Sequence, residues 1–185
     1  MENMTEIMII EVFDDVLLKQ IELSDAKPIF NTINSQRAYL GKWLPFVSLT
    51  QKVEDTEGFI KAMLNAPIDK SEFVFVIHYQ NEFAGLIGFK DTDRVNGKTE
   101  IGYWLSEPFQ HKGIVTQSVK ELCKFAFDEL GINRIQIKCA TGNNPSKKIP
   151  QKLGFKLEGV ERDGEMLISG NYTDLEVYSK LKREF

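Results

Sequence analysis

The spacing of apolar residues changes several times along the chain, and each change marks an element. Val16 to Leu23 reads as a strand. Ser24 then offers a helix N-cap with Asp25 in the first turn, predicting a helix to about Asn34. A second helical piece covers 35–43 and ends near Pro45. Val53 to Asn65 is a third helix, with Phe59, Ile60, Met63 and Leu64 on its apolar face and Pro67 beyond its end. The period then drops towards two. Phe73–Ile77 and Phe83–Phe89 are β-branched and aromatic runs that predict strands. Asn96-Gly97 signals a tight hairpin, because a two-residue turn needs positive φ, and Glu100–Leu105 is the strand that follows. After Pro108 a helical period returns through Val115, Val119, Leu122, Cys123, Ala126, Phe127 and Leu130, with Gly131 as a left-handed stop. Arg134–Ala140 reads as a strand and Pro145–Leu153 as a short helix closed by Gly154. Residues 155–161 and 173–181 read as the last two strands. The strand–helix–strand run from Glu100 to Ala140 predicts a crossover between parallel neighbours. With no repeat, linker or low-complexity segment, the expectation is one α/β (α+β) domain over residues 1–185.

Composition narrows the function classes. Twenty-three basic against 27 acidic residues give a net charge of −4, which argues against a general phosphate-backbone binder and hence against direct nucleic-acid binding. The opening segment carries Glu2, Glu6 and Glu11, and its apolar run Ile7–Ile10 is too short for a membrane span or a signal core, so no membrane association is expected. Cys123 and Cys139 form no disulfide framework and read as reduced thiols of a cytoplasmic protein, in which the Asn3 and Asn171 sequons carry no meaning. His78 and His111 have no ligand-like spacing, so no metal site is expected.

The most informative stretch is Gln110, His111, Lys112, Gly113, Ile114, Val115 and Thr116, between a strand and a long helix. A loop there presents successive backbone N–H groups and the positive end of a helix, which suits a phosphate or pyrophosphate. Neither a Walker P-loop nor a G-x-G-x-x-G fingerprint is present, and an ordinary glycine-containing loop would look the same locally.

Taken together, E-I-G-Y-W-L (Glu100–Leu105), Q-H-K-G-I-V-T, C-A-T-G-N-N-P-S (Cys139–Ser146) and Q-K-L-G-F (Gln151–Phe155) resemble the GNAT acetyltransferases, in which the loop motif binds the pyrophosphate of acetyl-CoA. W-L-P-F (Trp43–Phe46) and Y-T-D-L-E-V-Y (Tyr172–Tyr178) are similar to the branch of ribosomal-protein N-terminal serine acetyltransferases. The resemblance spans about residues 10 to 180. Val115 stands where Gly or Ala is usual, and its Cβ branches threaten to crowd the pyrophosphate. His111 replaces a commoner Gly.

The resemblance implies a mixed twisted sheet of about seven strands flanked by helices, with two parallel central strands splayed around the acetyl-CoA cosubstrate. It implies backbone donors near Tyr103, Trp104 and Leu105 for the thioester carbonyl, the 110–116 loop for pyrophosphate, and Asn143 for the pantetheine arm. Glu100 is the expected base, against the alternative of a strand carboxylate paired with lysine. Ser146 is the expected acid, against the alternative of a helix cap. Cys139 is either near the CoA sulfur or simply a small buried residue, and Cys123 belongs to the core. Arg37, Tyr39 and Trp43 would line one wall of the acceptor groove, and Arg162, Tyr172 and Asp174 the other. Dimers are common in the resembled branch, so a homodimer is one expectation. The implied reaction moves acetyl to a primary amine, with a protein N-terminus as the leading acceptor. A small-amine acetyltransferase and a non-catalytic acyl-CoA-binding module are the alternatives.

Overall fold

In the computed structural model, residues 7–67 and 72–185 are described. Residues 1–6, with Asn3, Glu2 and Glu6, and residues 68–71 lie outside the described residues. The strands are β1 (Ile9–Phe13), β2 (Val16–Gln20), β3 (Val74–Tyr79), β4 (Glu82–Asp93), β5 (Lys98–Leu105), β6 (Arg134–Ala140), β7 (Lys156–Met166) and β8 (Tyr172–Leu181). They form one sheet in the order β1-β2-β3-β4-β5-β6-β8-β7. The helices are α1 (Ala26–Ser35), α2 (Arg37–Leu40), α3 (Val53–Leu64), α4 (Ile114–Asp128) and α5 (Asn144–Lys152). Every neighbouring pair of strands is antiparallel except β5–β6, which is parallel as the crossover rule requires.

Two apolar layers sandwich the sheet. One face carries α4 and α5 over Phe75, Ile77, Ile87, Phe89, Ile101, Ile135 and Ile137. The other carries α1 and α3 over Val76, Leu86 and Trp104. Successive strand residues alternate faces. On β5, Ile101, Tyr103 and Leu105 therefore look towards α4, and Glu100, Gly102 and Trp104 look towards α1 and α3. The predicted face of α4 is the buried one: Val115, Val119, Leu122, Cys123, Ala126 and Phe127 are all buried. Gly131 has φ +67°, the left-handed stop.

Several expectations are corrected. Among the described residues the sheet has eight strands, because Ile9–Phe13 adds an edge strand across a turn where Asp15 takes φ 64°, a conformation that Asp tolerates. Ser24 is not a helix cap. Leu23–Asp25 form a 3₁₀ turn, and the Asp25 carboxylate accepts from the Glu22 N–H at 2.8 Å. On α3 the buried residues are Thr56 and Ile60, whereas Phe59 and Leu64 are exposed. The turn at Asn96-Gly97 has four residues between the paired Asp93 and Lys98, with the Asn96 N–H donating to Asp93 at 2.9 Å. The last hairpin is longer than its apolar pattern, since β7 extends to Met166 as an exposed edge strand.

That edge is tied inward by charge. Both Arg134 Nη atoms on β6 donate to the Glu158 carboxylate on β7, at 2.7 and 2.5 Å, and Ser179 on β8 donates to it at 2.6 Å. Arg134 and Ser179 together hold the Glu158 carboxyl at about 2, below its usual 4.5. A depressed acid stabilises the fold above its unfolded pKa, and that contribution disappears as pH falls through the folded value. Acid titration of wild type should therefore lose stability between about pH 4.5 and 2. The unfolding midpoint of Glu158→Gln should be lower at neutral pH and flatter across that window. A midpoint with the same pH slope as wild type would remove Glu158 from the acid response.

Candidate active site

The β5–β6 pairing lasts only from Lys98, Thr99 and Glu100 opposite Arg134, Ile135 and Gln136. Beyond it β5 stays bonded to β4 as far as Leu105, and β6 to β8 as far as Ala140. The two strands separate while each remains anchored on its outer side. The inner edge of β5, residues 101–105, thus faces a gap instead of a partner strand.

Side chains bridge the gap. Tyr103 on β5 donates to the Ser146 carbonyl of α5 at 3.1 Å, and the Ser146 hydroxyl donates to the Tyr103 oxygen at 3.3 Å. Cys139 Sγ on β6 lies 3.4 Å from Ser146 Oγ. Burial drives the Tyr103 hydroxyl well above its ordinary pKa and also raises the Cys139 thiol, so both stay protonated at neutral pH. Ser146 is not the cap of α5. Asn143 takes that position, its side chain accepting from the Ser146 N–H at 3.4 Å, which leaves the serine hydroxyl to the cluster.

The loop after β5 leads into the N-terminus of α4. His111 (φ 64°) and Gly113 (φ 76°) both adopt left-handed backbone, which turns successive N–H groups to one side. The first backbone bond of α4 runs from the Gln117 N–H to the Gly113 carbonyl at 3.1 Å. The amides of Ile114, Val115 and Thr116 have no acceptor within the helix. Ile114 and Val115 are buried in the α4 core, so the Val115 side chain points away from the loop's concave side and does not crowd it. Lys112 Nζ sits 5.6 Å from the Tyr79 ring centroid.

A splayed parallel pair, a helix N-terminus set to receive phosphate and a hydroxyl–thiol cluster between them make a site for a phosphate-bearing thioester. The comparisons agree. Residues 15–156 match the model of the acetyltransferase (GNAT) domain. The chain belongs to the GNAT acetyltransferase family. It is 34% identical over 176 residues to YdaF of Bacillus subtilis (strain 168), provisionally named a ribosomal N-acetyltransferase, covering 95% of this chain and 96% of that one. It is 28% identical over 172 residues to the ribosomal-protein-serine acetyltransferase of Escherichia coli (strain K12), covering 93% and 96%. Among solved structures, RimL, a ribosomal L7/L12 α-N-protein acetyltransferase in a CoA disulfide complex, superimposes with TM-score 0.89 at 28% identity over 94% of this chain and 98% of RimL. The microcin C7 self-immunity acetyltransferase MccE, in complex with acetyl-CoA and AMP, gives 0.87 at 31% identity over 93% and 95%.

Within this GNAT fold a cavity of about 950 Å³ opens beside the gap on the α1–α3 face. It reaches Glu100, Tyr103, Trp104, Cys139, Asn143 and Ser146, and Trp43 forms part of its wall. The other acceptor-wall candidates do different work. Arg37 is a brace: it donates to Asn34, to the Val47 carbonyl at 2.8 Å and to the Thr50 carbonyl at 2.6 Å, fixing the turn after α2. Tyr39 donates to the Leu105 carbonyl at 3.3 Å, and its oxygen receives the Gln110 amide, so it joins α2 to both ends of the loop before α4. Tyr172 is 62% exposed, and neither it nor Asp174 or Arg162 lines the cavity. Asp174 instead accepts from the Asp163 N–H at 2.8 Å inside a bulge of β7.

That bulge delivers a residue the sequence reading missed. Glu161 pairs with Leu175 and Glu165 with Thr173, so three residues of β7 face one of β8. Such a bulge re-aims the following side chain. Glu165 lines the cavity and has no hydrogen-bond partner among the described residues. Burial raises its pKa, Lys90 opposes the shift and Glu100 adds to it. Glu100 is different: Lys90 Nζ lies 2.8 Å from one carboxylate oxygen, and Gln136 donates to the other at 2.9 Å. No local pattern flags Glu165, because the bulge breaks the alternation that would have placed it.

Gln36, also missed, completes the frame. Its amide nitrogen donates to the Ser106 hydroxyl at 2.7 Å, and its carbonyl accepts from the Glu107 N–H at 2.9 Å. Gln36→Leu should cost about 1–3 kcal/mol, since it orphans groups at buried Ser106. The denaturation midpoint should fall with an unchanged m-value. A midpoint equal to wild type would show that the Gln36 bonds contribute nothing.

Proposed function

We propose that this chain transfers the acetyl group of acetyl-CoA directly to a primary amine, with the α-amine at a protein N-terminus as acceptor. The observation that carries the reading is the β5–β6 gap, bridged by the Tyr103–Ser146–Cys139 cluster, with the left-handed 111–113 loop following β5. The relatives that act on ribosomal-protein N-termini, and the solved complexes with CoA or acetyl-CoA, support both the cosubstrate and the acceptor class.

In this reading the amides of Gly113 to Thr116 hold the pyrophosphate, with Gln110, His111 and Lys112 shaping the approach. The gap places the thioester against β5, where backbone N–H groups of Tyr103 to Leu105 meet the negative charge that develops on its carbonyl oxygen. Holding amine and thioester side by side removes most of the entropic barrier. The amine must arrive without its proton. Glu165 takes it, directly or through water: it lines the cavity, its side chain has no hydrogen-bond partner among the described residues, and burial raises its basicity above an ordinary carboxylate. Glu100, engaged by Lys90 and Gln136, contributes charge instead of proton transfer. Ser146, oriented by Tyr103, relays to the departing thiolate the proton that the attacking nitrogen loses, and so ends the step neutral.

Two substitutions test these roles. Glu165→Gln should lower kcat by about 10²–10⁴, the usual contribution of a positioned base. Wild-type kcat should rise with pH through a Glu165 pKa above the usual 4.5, and the variant should lack that limb. Ser146→Ala should slow the single-turnover chemical step while acetyl-CoA binding, followed by calorimetry, is kept. An unchanged pH profile in Glu165→Gln would return the base role to Glu100. Absence of thiol release from acetyl-CoA with every amine offered would reject the transfer itself.

A further inference from the structure

The cavity beside the gap has an aromatic and aliphatic wall apart from Tyr103, Cys139, Asn143 and Ser146, the residues assigned to the cosubstrate. At about 950 Å³ it is at the upper end of the range for sites that enclose whole small molecules. Trp43, Phe46, Phe59, Met63, Leu86 and Trp104 form its walls near the Tyr103–Ser146 cluster. Phe46 and Phe59 remain 38% and 44% exposed, so apolar surface is left uncovered where an acceptor would enter.

The floor is bare. On the α1–α3 face, β4 and β5 present three paired rows: Leu86 with Trp104, Gly88 with Gly102, and Lys90 with Glu100. At Gly88 a Cβ would lie 2.7 Å from the Phe73 carbonyl oxygen, so the fold itself requires glycine there. At Gly102 the nearest atoms to a Cβ are the flexible end of Lys90, at 3.7 and 3.8 Å. Neighbouring atoms do not demand glycine at 102, and glycine weakens a strand interior. What a side chain at 102 would occupy is the cavity.

Charge points the same way. Among the described residues, Lys90 and Lys138 are the cations of the lining, and each already pairs with a glutamate at 2.8 Å. Glu165 and Asp91 line it as well, so the balance favours a cationic amine.

We infer that the acceptor is an α-amine whose adjacent side chain is bulky and apolar, seated over Gly102 between the aromatic walls. This rests on the acetyl-transfer reading above. The test compares peptides identical except for their first residue (Phe, Leu, Ser or Gly), together with spermidine, by thiol release and product mass. The Phe and Leu peptides should exceed the Ser peptide in kcat/KM by about tenfold or more, as expected of an apolar pocket. Gly102→Val should pull that ratio towards one while acetyl-CoA affinity, measured by calorimetry, is retained. Phe59→Ala, at a position 44% exposed, should raise KM for the Phe peptide more than for the Ser peptide. Equal or better use of Ser, Gly or spermidine overturns this inference and leaves acetyl transfer standing. So does a Phe-to-Ser ratio that neither variant moves. No transfer to any amine overturns both.

Discussion

The site depends on one interruption: β5 and β6 stop pairing after Glu100 and Gln136. Backbone polar groups on an interior strand edge must find partners, so a gap in mid-sheet is costly unless something fills or satisfies it. Here each strand is held from outside, β5 by β4 and β6 by β8, and the gap is therefore a fixed feature and not a frayed end. Tyr103 reaches across it to Ser146, and Tyr39 takes the Leu105 carbonyl. Gln36 fixes Ser106 and Glu107 immediately beyond. The edge between them is left for a ligand with its own donors and acceptors.

The same interruption sorts the two carboxylates. Glu100 sits at the last paired position, almost fully buried, where an unpartnered charge would be heavily penalised. Lys90 and Gln136 satisfy it and at the same time occupy the lone pairs that a base needs free. Glu165 arrives from the opposite side of the gap on a bulge held by Asp174, half-enclosed and without such partners. Two glutamates of the same intrinsic acidity thus acquire different chemistry from their surroundings alone.

How much of this was legible follows from which signals are periodic. The face of α4, the exact span of β6 and the left-handed glycine in the 110–116 loop were readable, because burial on one face or a positive φ restricts residue choice locally. The gap was reached through resemblance, and the register confirms it. Glu165 was not readable, since three residues opposite one destroy the alternation of β7. Arg37, Tyr39 and Asp174 have the chemistry of substrate contacts, but the fold spends them on a turn, a loop and a bulge. Residue type alone does not distinguish these uses. The distinction lies in partners distant in sequence.

Val115 shows why the two halves of the site carry different information. In the proposed reading the pyrophosphate is held by backbone N–H groups, and their direction is set by φ at His111 and Gly113. A side chain there matters only if it points into the loop, and that of Val115 points into the core. Recognition of this kind survives extensive substitution, so similarity of fold carries it between relatives. In the same reading the acceptor is met by side chains, or by their absence at Gly102. A single methyl-sized change there alters the shape that an amine meets without disturbing the sheet. The family's shared chemistry can therefore be read from the backbone, whereas the acceptor must be read from this chain's own cavity.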